Sequence, residues 1–415
     1  MDSIHSDAQE IIKRAIRENL PDSAVKQALK GHHFTGGIHL FAIGKAAWVM
    51  AKAAGDCLGD AIKMGTVITK YGHSQGEIPN IEVIEAGHPL SDSNTILGTD
   101  KVIQIAQGLT AEDQVLFLVS GGGSALFESP LEGISLADLV DLNNQLLASG
   151  ADIVEINIIR KRLSRVKAGR FAELCSPAKV FTIVLSDVLG DRLDSIASGP
   201  AAPDRSTVED AAQVVKKYNL RLSDVMRRHL TLETPKKIFN VETVITGSVR
   251  TLCDSTARAA QALGYRPVIL STGMSCEAAD AGRLMATMAH EIGQGEHSLK
   301  RPCALIMGGE TVVHIKGTGL GGRNQEMALA AAGPLQGLEG VVFFSLGSDG
   351  TDGPTDAAGG IVDAQTAEKL HAKGVDIKAA LADNDSYHAL KAVDGLIMTG
   401  PTGTNVNDVS VLLCQ

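Results

Sequence analysis

Short apolar runs rich in Val and Ile alternate along this chain with Ala- and Leu-rich stretches of helical period. That alternation restricts the fold more than any other feature. The runs cover residues 38–43, 66–69, 81–86, 115–120, 180–186, 241–246, 267–271, 304–307, 311–315, 341–345, 396–399 and 409–413. They are nearly continuous in apolar residues, as expected of strands covered on both faces. The helical stretches include residues 45–58, 95–108, 136–149, 157–175, 251–263, 278–292 and 324–332. The expected class is α/β, with two layered α/β domains and mostly parallel sheets. The polar, helix-like segment 203–235 precedes a new series of runs, so the boundary is expected at 235/236, giving domains 1–235 and 236–415.

Composition removes several functions. Glycine is abundant, 44 of 415 residues, but has no three-residue period, which excludes collagen. Aromatic residues are only 3%, which argues against binding nucleic acid by base stacking. A net charge of −10 argues against a general polyanion binder. No apolar run approaches the ~20 residues of a membrane span, and the start lacks a signal peptide's apolar segment. The six cysteines are scattered without a C-x-x-C pair, so zinc sites and disulfide frameworks have little support. Reduced thiols in the cytoplasm are the simplest expectation.

In open α/β sheets, ligands bind beyond the carboxyl ends of strands. After the run 38–43 comes Gly44-Lys45-Ala46-Ala47, which opens a helix. A lysine there opposes the helix dipole, and a bound anion would relieve the conflict; the alternative is an ordinary surface lysine. This is no Walker A loop, because Gly37 lies seven residues before Gly44 and Ala46 follows the lysine. After 115–120 comes Ser120-Gly121-Gly122-Gly123-Ser124-Ala125, a glycine turn whose N–H groups can form a nest for phosphate or carboxylate. Residues 157–170 carry Arg160, Lys161, Arg162, Arg165, Lys167 and Arg170, read as a solvated helix face or as a wall steering an anionic substrate. Asp187 and Asp191 follow the run 180–186, and Ser198-Gly199-Pro200 comes next. These aspartates are candidates for a general base, a magnesium contact or turn caps.

Towards the C-terminus, Gly321-Gly322-Arg323-Asn324 joins a glycine loop to a helix start, where the arginine and N–H groups can hold phosphate. Glu310, Asp349 and Asp352 are hard oxygen ligands at separate strand ends, which suits magnesium held partly by water. Gly317, Gly319 and Gly322 also match the dinucleotide pattern G-x-G-x-x-G. That fingerprint wants an acid about 20 residues on, at the end of the next strand. Asp349 instead lies 27 residues past Gly322, in a glycine loop.

The combined motifs resemble glycerate 2-kinases of the MOFRL type, a family with members labelled hydroxypyruvate reductase. They are Ala42-Ile43-Gly44-Lys45-Ala46, Ala86-Gly87-His88-Pro89, the 120–125 turn, Ser186-Asp187 with Gly190-Asp191, Ile196-Ala197-Ser198-Gly199-Pro200, Gly321-Gly322-Arg323-Asn324-Gln325-Glu326, Asp349-Gly350-Thr351-Asp352-Gly353, and Gly400-Pro401-Thr402-Gly403-Thr404-Asn405-Val406. One departure is Lys167-Ala168-Gly169-Arg170, where the family usually has Lys-Gly-Gly-Arg. The resemblance implies a Rossmann-like N-terminal domain, a MOFRL-type C-terminal domain and an active site in the cleft between them. It implies ATP-dependent phosphorylation of D-glycerate at the 2-hydroxyl, giving 2-phospho-D-glycerate. Lys45 and Arg323 are the catalytic residues it carries over, with Asp187 or Asp191 accepting the hydroxyl proton. Ser120, Gly121, Gly122, Gly123, Ser124, Ser198 and Gly199 are the expected binding residues of the first half. Gly321, Gly322, Asn324, Thr402 and Asn405 are those of the second. Glu310 or Asp349 would assist Mg2+ or another divalent cation. D-glycerate and ATP are the expected partners, without nucleic acid or membrane, and a homodimer is compatible. A nicotinamide-dependent hydroxypyruvate reductase is the second reading, and a non-catalytic sensor of organic acids or nucleotides the third.

Overall fold

A computed structural model describes residues 3–186, 192–295 and 298–415. The chain forms two compact units, residues 21–246 and residues 1–20 with 247–415. The transition comes after the strand beginning at Val241 instead of before it, and the first helix, Ser3–Glu18, goes with the second unit. That helix buries Ile4, Ala8, Ile11, Ile12 and Ala15 and packs on the helix Val249–Ala262. Asn19 closes the contact by donating to Ser255 Oγ at 2.7 Å. Periodicity marks the apolar face of such a helix but cannot name its partner.

The first unit holds a six-stranded sheet of β1 (Gly37–Ile43), β2 (Ile62–Lys70), β3 (Ile81–Ala86), β4 (Asp113–Val119), β5 (Lys179–Leu185) and β6 (Val241–Gly247). The order is β3-β2-β1-β4-β5-β6. β1 pairs in parallel with β2 and β4, β2 with β3, and β4 with β5. This is the doubly wound order, and its direction reverses between β1 and β4. Phe41, Phe117, Phe127 and Phe171 pack together beneath it, with the rings of Phe117 and Phe171 4.5 Å apart. Each buried ring contributes about 1.5–3 kcal/mol.

The second unit holds β7 (Arg266–Met274), β8 (Cys303–Gly309), β9 (Val341–Gly347), β10 (Gly359–Asp363), β11 (Leu396–Ile397) and β12 (Asp408–Cys414), in the order β11-β10-β9-β12-β8-β7. Here the expectation of a mostly parallel sheet needs correction. Among the described residues only β7 and β8 pair in parallel; β12 runs antiparallel between β8 and β9, and β10 is antiparallel to β9 and β11. Every residue of β8, β9 and β12 is buried. Such strands show an apolar run whichever way they point, so direction is invisible in composition.

Three local expectations also change. The helix anticipated over 157–175 is two, Ile153–Arg162 and Arg170–Leu174. Ala168 and Gly169 between them have φ of +55° and +81°, left-handed values that no α-helix accommodates. Among the described residues, 311–315 form only a single bridge, from Val312 to Glu277. β10, which opens on Gly359-Gly360, was not anticipated because glycine weakens the strand signal.

The basic segment at 160–170 turns largely inward. Arg162 is fully buried and donates to Ser206 Oγ at 2.8 Å, to Ser206 O at 2.9 Å and to Ile158 O at 3.2 Å. It lies 3.6 Å from the buried Asp204, which Lys161 approaches to 3.2 Å. Arg165 stays partly exposed beside Asp100. Arg162 and Lys161 therefore hold the fold, and neither walls an anion-steering surface. Arg162→Ala leaves Asp204 short of one counter-charge and should destabilise the first unit by about 3–5 kcal/mol, read as a lowered urea midpoint. An unchanged midpoint would refute this role.

Candidate active site

In the first unit, the loops after β1 and β4 meet at the point where strand order reverses. Ile43 and Val119 are register partners at the ends of those strands. The loops are stitched together: Lys45 N donates to Gly121 O at 2.9 Å, Ala46 N to Ser120 Oγ at 3.1 Å, and Ser120 Oγ to Ile43 O at 3.2 Å. Gly44 has φ +112°, and a Cβ there would lie 2.3 Å from Ser120 Oγ. Glycine is needed to bring the loops this close. The helix after Lys45 begins at Ala47 with no side-chain cap and no acid in its first turn. Among the described residues, no carboxylate pairs with Lys45 Nζ, and the amides of Gly121 and Gly122 have no partner.

His88, Lys70 and His73 gather around Lys45 here. A Cβ on Gly122 would lie 3.0 Å from His88 Nε2 and 3.3 Å from Lys45 Cγ, so both side chains close over the glycine turn. Burial, then the charges of Lys45, Lys70 and His73, pushes the His88 imidazole below its usual range, towards the neutral form. His73 Nδ1 also lies 2.9 Å from Lys45 O. None of these three residues was singled out as a site residue from sequence. His88 lies just past the end of β3, where strand-end ligand sites occur, and that position could have found it.

Behind the turn, Ser124 Oγ and Ser198 Oγ are 2.8 Å apart, and Ser198 donates to Asn157 Oδ1 at 3.0 Å. Ala197, Ser198 and Gly199 all have left-handed φ, at +50°, +61° and +66°. Ser198 is fully buried and Gly199 O accepts from Gly169 N at 2.7 Å, so this pair buttresses the turn from inside. Arg160 Nη2 and Lys167 Nζ donate to Ser124 O at 3.2 and 2.8 Å. Lys167 also meets Glu128 at 3.2 Å, and burial pushes its ammonium down to about 8 against Glu128's pull. Asp187 and Asp191 lie outside the described residues.

In the second unit, the sheet direction builds the acidic cluster. Asp408, first in β12, is the register partner of Gly309 at the end of β8 and of Gly347 at the end of β9. Glu310 follows β8 and Asp349 lies just after β9. Arg323 opens the helix Arg323–Ala332 and reaches back to this edge. It grips Asp408 with two nitrogens, Nε to Oδ2 at 2.5 Å and Nη2 to Oδ1 at 3.2 Å, while Nη1 donates to Glu310 Oε1 at 2.7 Å. Burial pushes the Asp408 carboxyl up to about 6, with Arg323 pulling the other way. Arg323 is itself raised: burial opposes its charge, but Asp408 and Glu310 outweigh burial. Asp349 Oδ1 accepts from Thr351 N at 2.9 Å, and Thr402 N donates to Asp349 O at 3.1 Å.

Several predicted binding groups in this unit serve the protein itself. Both oxygens of buried Asp352 cap the helix start, taking Asn324 N at 3.1 Å and Gln325 N at 2.9 Å. The side chain of Asn324 is engaged with Asp352 at 3.2 Å and Ser345 at 2.6 Å. An external phosphate thus cannot use those two amides while Asp352 holds them. Gly321 and Gly322 pack tightly on Ser386 and Asp352. Thr402 Oγ1 donates to Ser348 O at 2.6 Å and lines a cavity of about 1050 Å³ beside the helix Ser3–Glu18; Asn405 is exposed.

The G-x-G-x-x-G match is a packing device. Lys316 N and Gly317 N donate to Asn384 Oδ1 at 2.7 and 3.0 Å, Thr318 N to Asp383 Oδ1 at 2.9 Å, Gly319 N to Asp383 O at 2.9 Å and Leu320 N to Asp385 Oδ1 at 3.1 Å. A Cβ at Gly319 would sit 2.4 Å from Asp385 Cβ. The amides a pyrophosphate would need are held by a turn that also carries two carboxylates. A nicotinamide site at this loop is therefore not favoured.

Among the described residues, no three or more His, Cys, Asp or Glu side chains are arranged to hold a metal ion, and no helix is long and apolar enough to cross a membrane.

Comparison with known proteins places these sites in context. A family model described as the MOFRL family matches residues 303–408, and one described as a domain of unknown function, DUF4147, matches residues 7–231. The D-glycerate 2-kinase of Thermotoga maritima is 54% identical over 99% of this chain and 98% of its own length. The glycerate 2-kinase of Pyrococcus horikoshii is 42% identical over 96% of this chain and 93% of its own. A crystal structure of glycerate kinase from Thermotoga maritima matches with a TM-score of 0.96 and 53% identity, covering all of both chains.

Proposed function

Because the chain belongs to the glycerate 2-kinase family with a MOFRL domain, we propose that it transfers the γ-phosphoryl group of ATP to the 2-hydroxyl of D-glycerate, giving 2-phospho-D-glycerate. The observation that carries the chemistry is Lys45 beside the 120–124 turn, at the ends of adjacent parallel strands. A cation that no described carboxylate pairs, facing amides that no described group occupies, suits an anionic ligand and little else.

Phosphoryl transfer asks a protein chiefly for positioning and charge stabilisation. Lys45 supplies mobile positive charge, and the Gly121 and Gly122 amides supply directed N–H donors. Arg323 supplies a planar cation whose orientation Asp408 and Glu310 fix in advance, so little reorganises when charge develops. Neutral His88 can donate or accept a hydrogen bond without adding another full charge. Asp187 and Asp191 stay the candidates for accepting the hydroxyl proton. Glu310 and Asp349 are hard oxygen donors outside the core, a set that fits magnesium arriving with nucleotide and keeping several waters. When bound, the ion would neutralise phosphate charge. Small anionic substrates and free thiols suit a cytoplasmic setting.

The test is to incubate the purified protein with D-glycerate, ATP and magnesium and identify the product by phosphorus NMR. The expected product is 2-phosphoglycerate. NADH or NADPH oxidation with hydroxypyruvate in the absence of ATP turnover would overturn the kinase in favour of a reductase.

A further inference from the structure

We propose that Cys303 and Cys414 form a modification site, a buried dithiol that peroxide closes to a reversible cross-strand disulfide. The two residues are register partners where β8 and β12 run antiparallel. Directly opposite residues of an antiparallel pair point to the same face, with Cα atoms about 4.5–5.5 Å apart. A disulfide accepts Cα separations of about 4.4–6.8 Å, so the bond needs no rearrangement of the backbone. Both side chains are fully buried and belong to one core cluster with Leu305, Met307 and Leu412.

The surroundings favour reaction at Cys303. Its hydrogen bond with Cys414 outweighs burial and, with Arg301 and Arg266 nearby, lowers its thiol below the usual range. Cys414 is raised by the same contact. The other buried thiols move the opposite way: burial pushes Cys175 up, and burial with the Asp254 charge pushes Cys253 up to about 12. Cys303 is therefore the more readily ionised of the pair, suited to be the nucleophile, and Cys414 the resolving thiol.

The chemistry balances with hydrogen peroxide as oxidant. The Cys303 thiolate attacks one peroxide oxygen; the O–O bond breaks, leaving a sulfenic acid and a hydroxide that takes up a proton as water. Cys414 sulfur then attacks the sulfenic sulfur, the S–S bond forms, and water leaves with the Cys414 proton. Two thiols and one peroxide become one disulfide and two waters. A dithiol reductant reverses the step.

The position gives the bond a consequence. The same β8–β12 ladder that ends at Cys303 and Cys414 begins at Gly309 and Asp408, beside the residues that hold Arg323. A disulfide would tie β12 to β8 at the end of the ladder away from Asp408 and keep that ladder paired when the chain is stressed. It would also close a long loop and so constrain the unfolded chain.

The experiment treats the full-length protein with hydrogen peroxide, unfolds it, alkylates free thiols and maps the peptides by mass spectrometry. The expected result is a linked pair of peptides carrying Cys303 and Cys414, released by dithiothreitol, with alkylation of both falling roughly tenfold relative to Cys175. The oxidised protein should also unfold at higher urea than the reduced one. Cys414→Ser should abolish the linked pair, whereas a bond from Cys303 to any other cysteine would overturn the assignment. It is equally overturned if Cys303 and Cys414 stay as alkylatable as Cys175 while the exposed Cys57 and Cys276 oxidise, or if Cys303 passes to sulfinic acid without a linked product. The wild-type map decides the matter even if a serine variant folds poorly.

Discussion

Lys45→Ala lowers kcat by two or more orders of magnitude and leaves stability nearly unchanged. The two halves of this result have one cause. Lys45 pairs with no carboxylate among the described residues, and the helix behind it carries no acid in its first turn. Among the described residues no ion pair is lost when the lysine is removed, and the helix start loses an unfavourable neighbour. The reaction loses a cation beside the Gly121–Gly122 amides at the moment phosphoryl charge shifts. Removing one preorganised charge-stabilising group typically costs about 2.7–4 kcal/mol of activation free energy, or 10²–10³ in rate. Steady-state kinetics and a urea titration on the same preparation check both halves. Near-normal turnover in the folded variant would remove Lys45 from the mechanism.

Arg323→Ala also lowers kcat by two or more orders of magnitude, but it should damage stability as well, and in a pH-dependent way. The guanidinium is the counter-charge of Asp408, whose side chain is 6% exposed, and that of Arg323 is 32% exposed. Breaking such a pair costs about 3 kcal/mol, the lower end for buried pairs because Arg323 still sees water. The pH dependence comes from burial. Asp408 already has a carboxyl raised to about 6 with its arginine present, and losing the arginine raises it further. A carboxyl raised by folding gives stability that is complete below its unfolded value near 4 and fades as pH rises through the folded value. The variant should therefore lie closer to wild type in urea midpoint at pH 5 than at pH 8. Asp408→Asn in the Arg323→Ala background should recover much of the stability at pH 8 and none of the rate. Equal losses at both pH values would show that Asp408 is not the group left uncompensated.

Much of the fold was legible because local pattern reports local structure. The strand after residue 80 falls at Ile81–Ala86 as read, and the glycine turns at 44 and 120–124 do follow strands. What failed did so for identifiable reasons. Residues 157–175 have helical composition throughout, but the left-handed backbone at Ala168 and Gly169 splits them. Residues 311–315 have β-branched composition but pair with nothing beyond Glu277 among the described residues. The basic segment looked like a surface because charge usually is one; Arg162 is buried instead, held by Ser206, Asp204 and Glu233 from a distant part of the chain.

The amino-acid sequence by itself determined the α/β class, the strand ends that carry Lys45 and the 120–124 turn, and the placing of Arg323 at a helix start. Each rests on neighbours within a few residues, where propensity and period act. Tertiary structure alone decided which glycine loops keep their amides free. Among the described residues, two amides of the 120–124 turn have no partner, whereas the 316–320 amides are held by Asp383, Asn384 and Asp385, more than 60 residues away in the chain. It also decided that β12 runs antiparallel between β8 and β9. That direction sets Asp408 beside Glu310 to hold Arg323, and Cys414 opposite Cys303 at the ladder's other end. A strand buried on both faces has the same composition read either way, so only its pairing could reveal which residues meet.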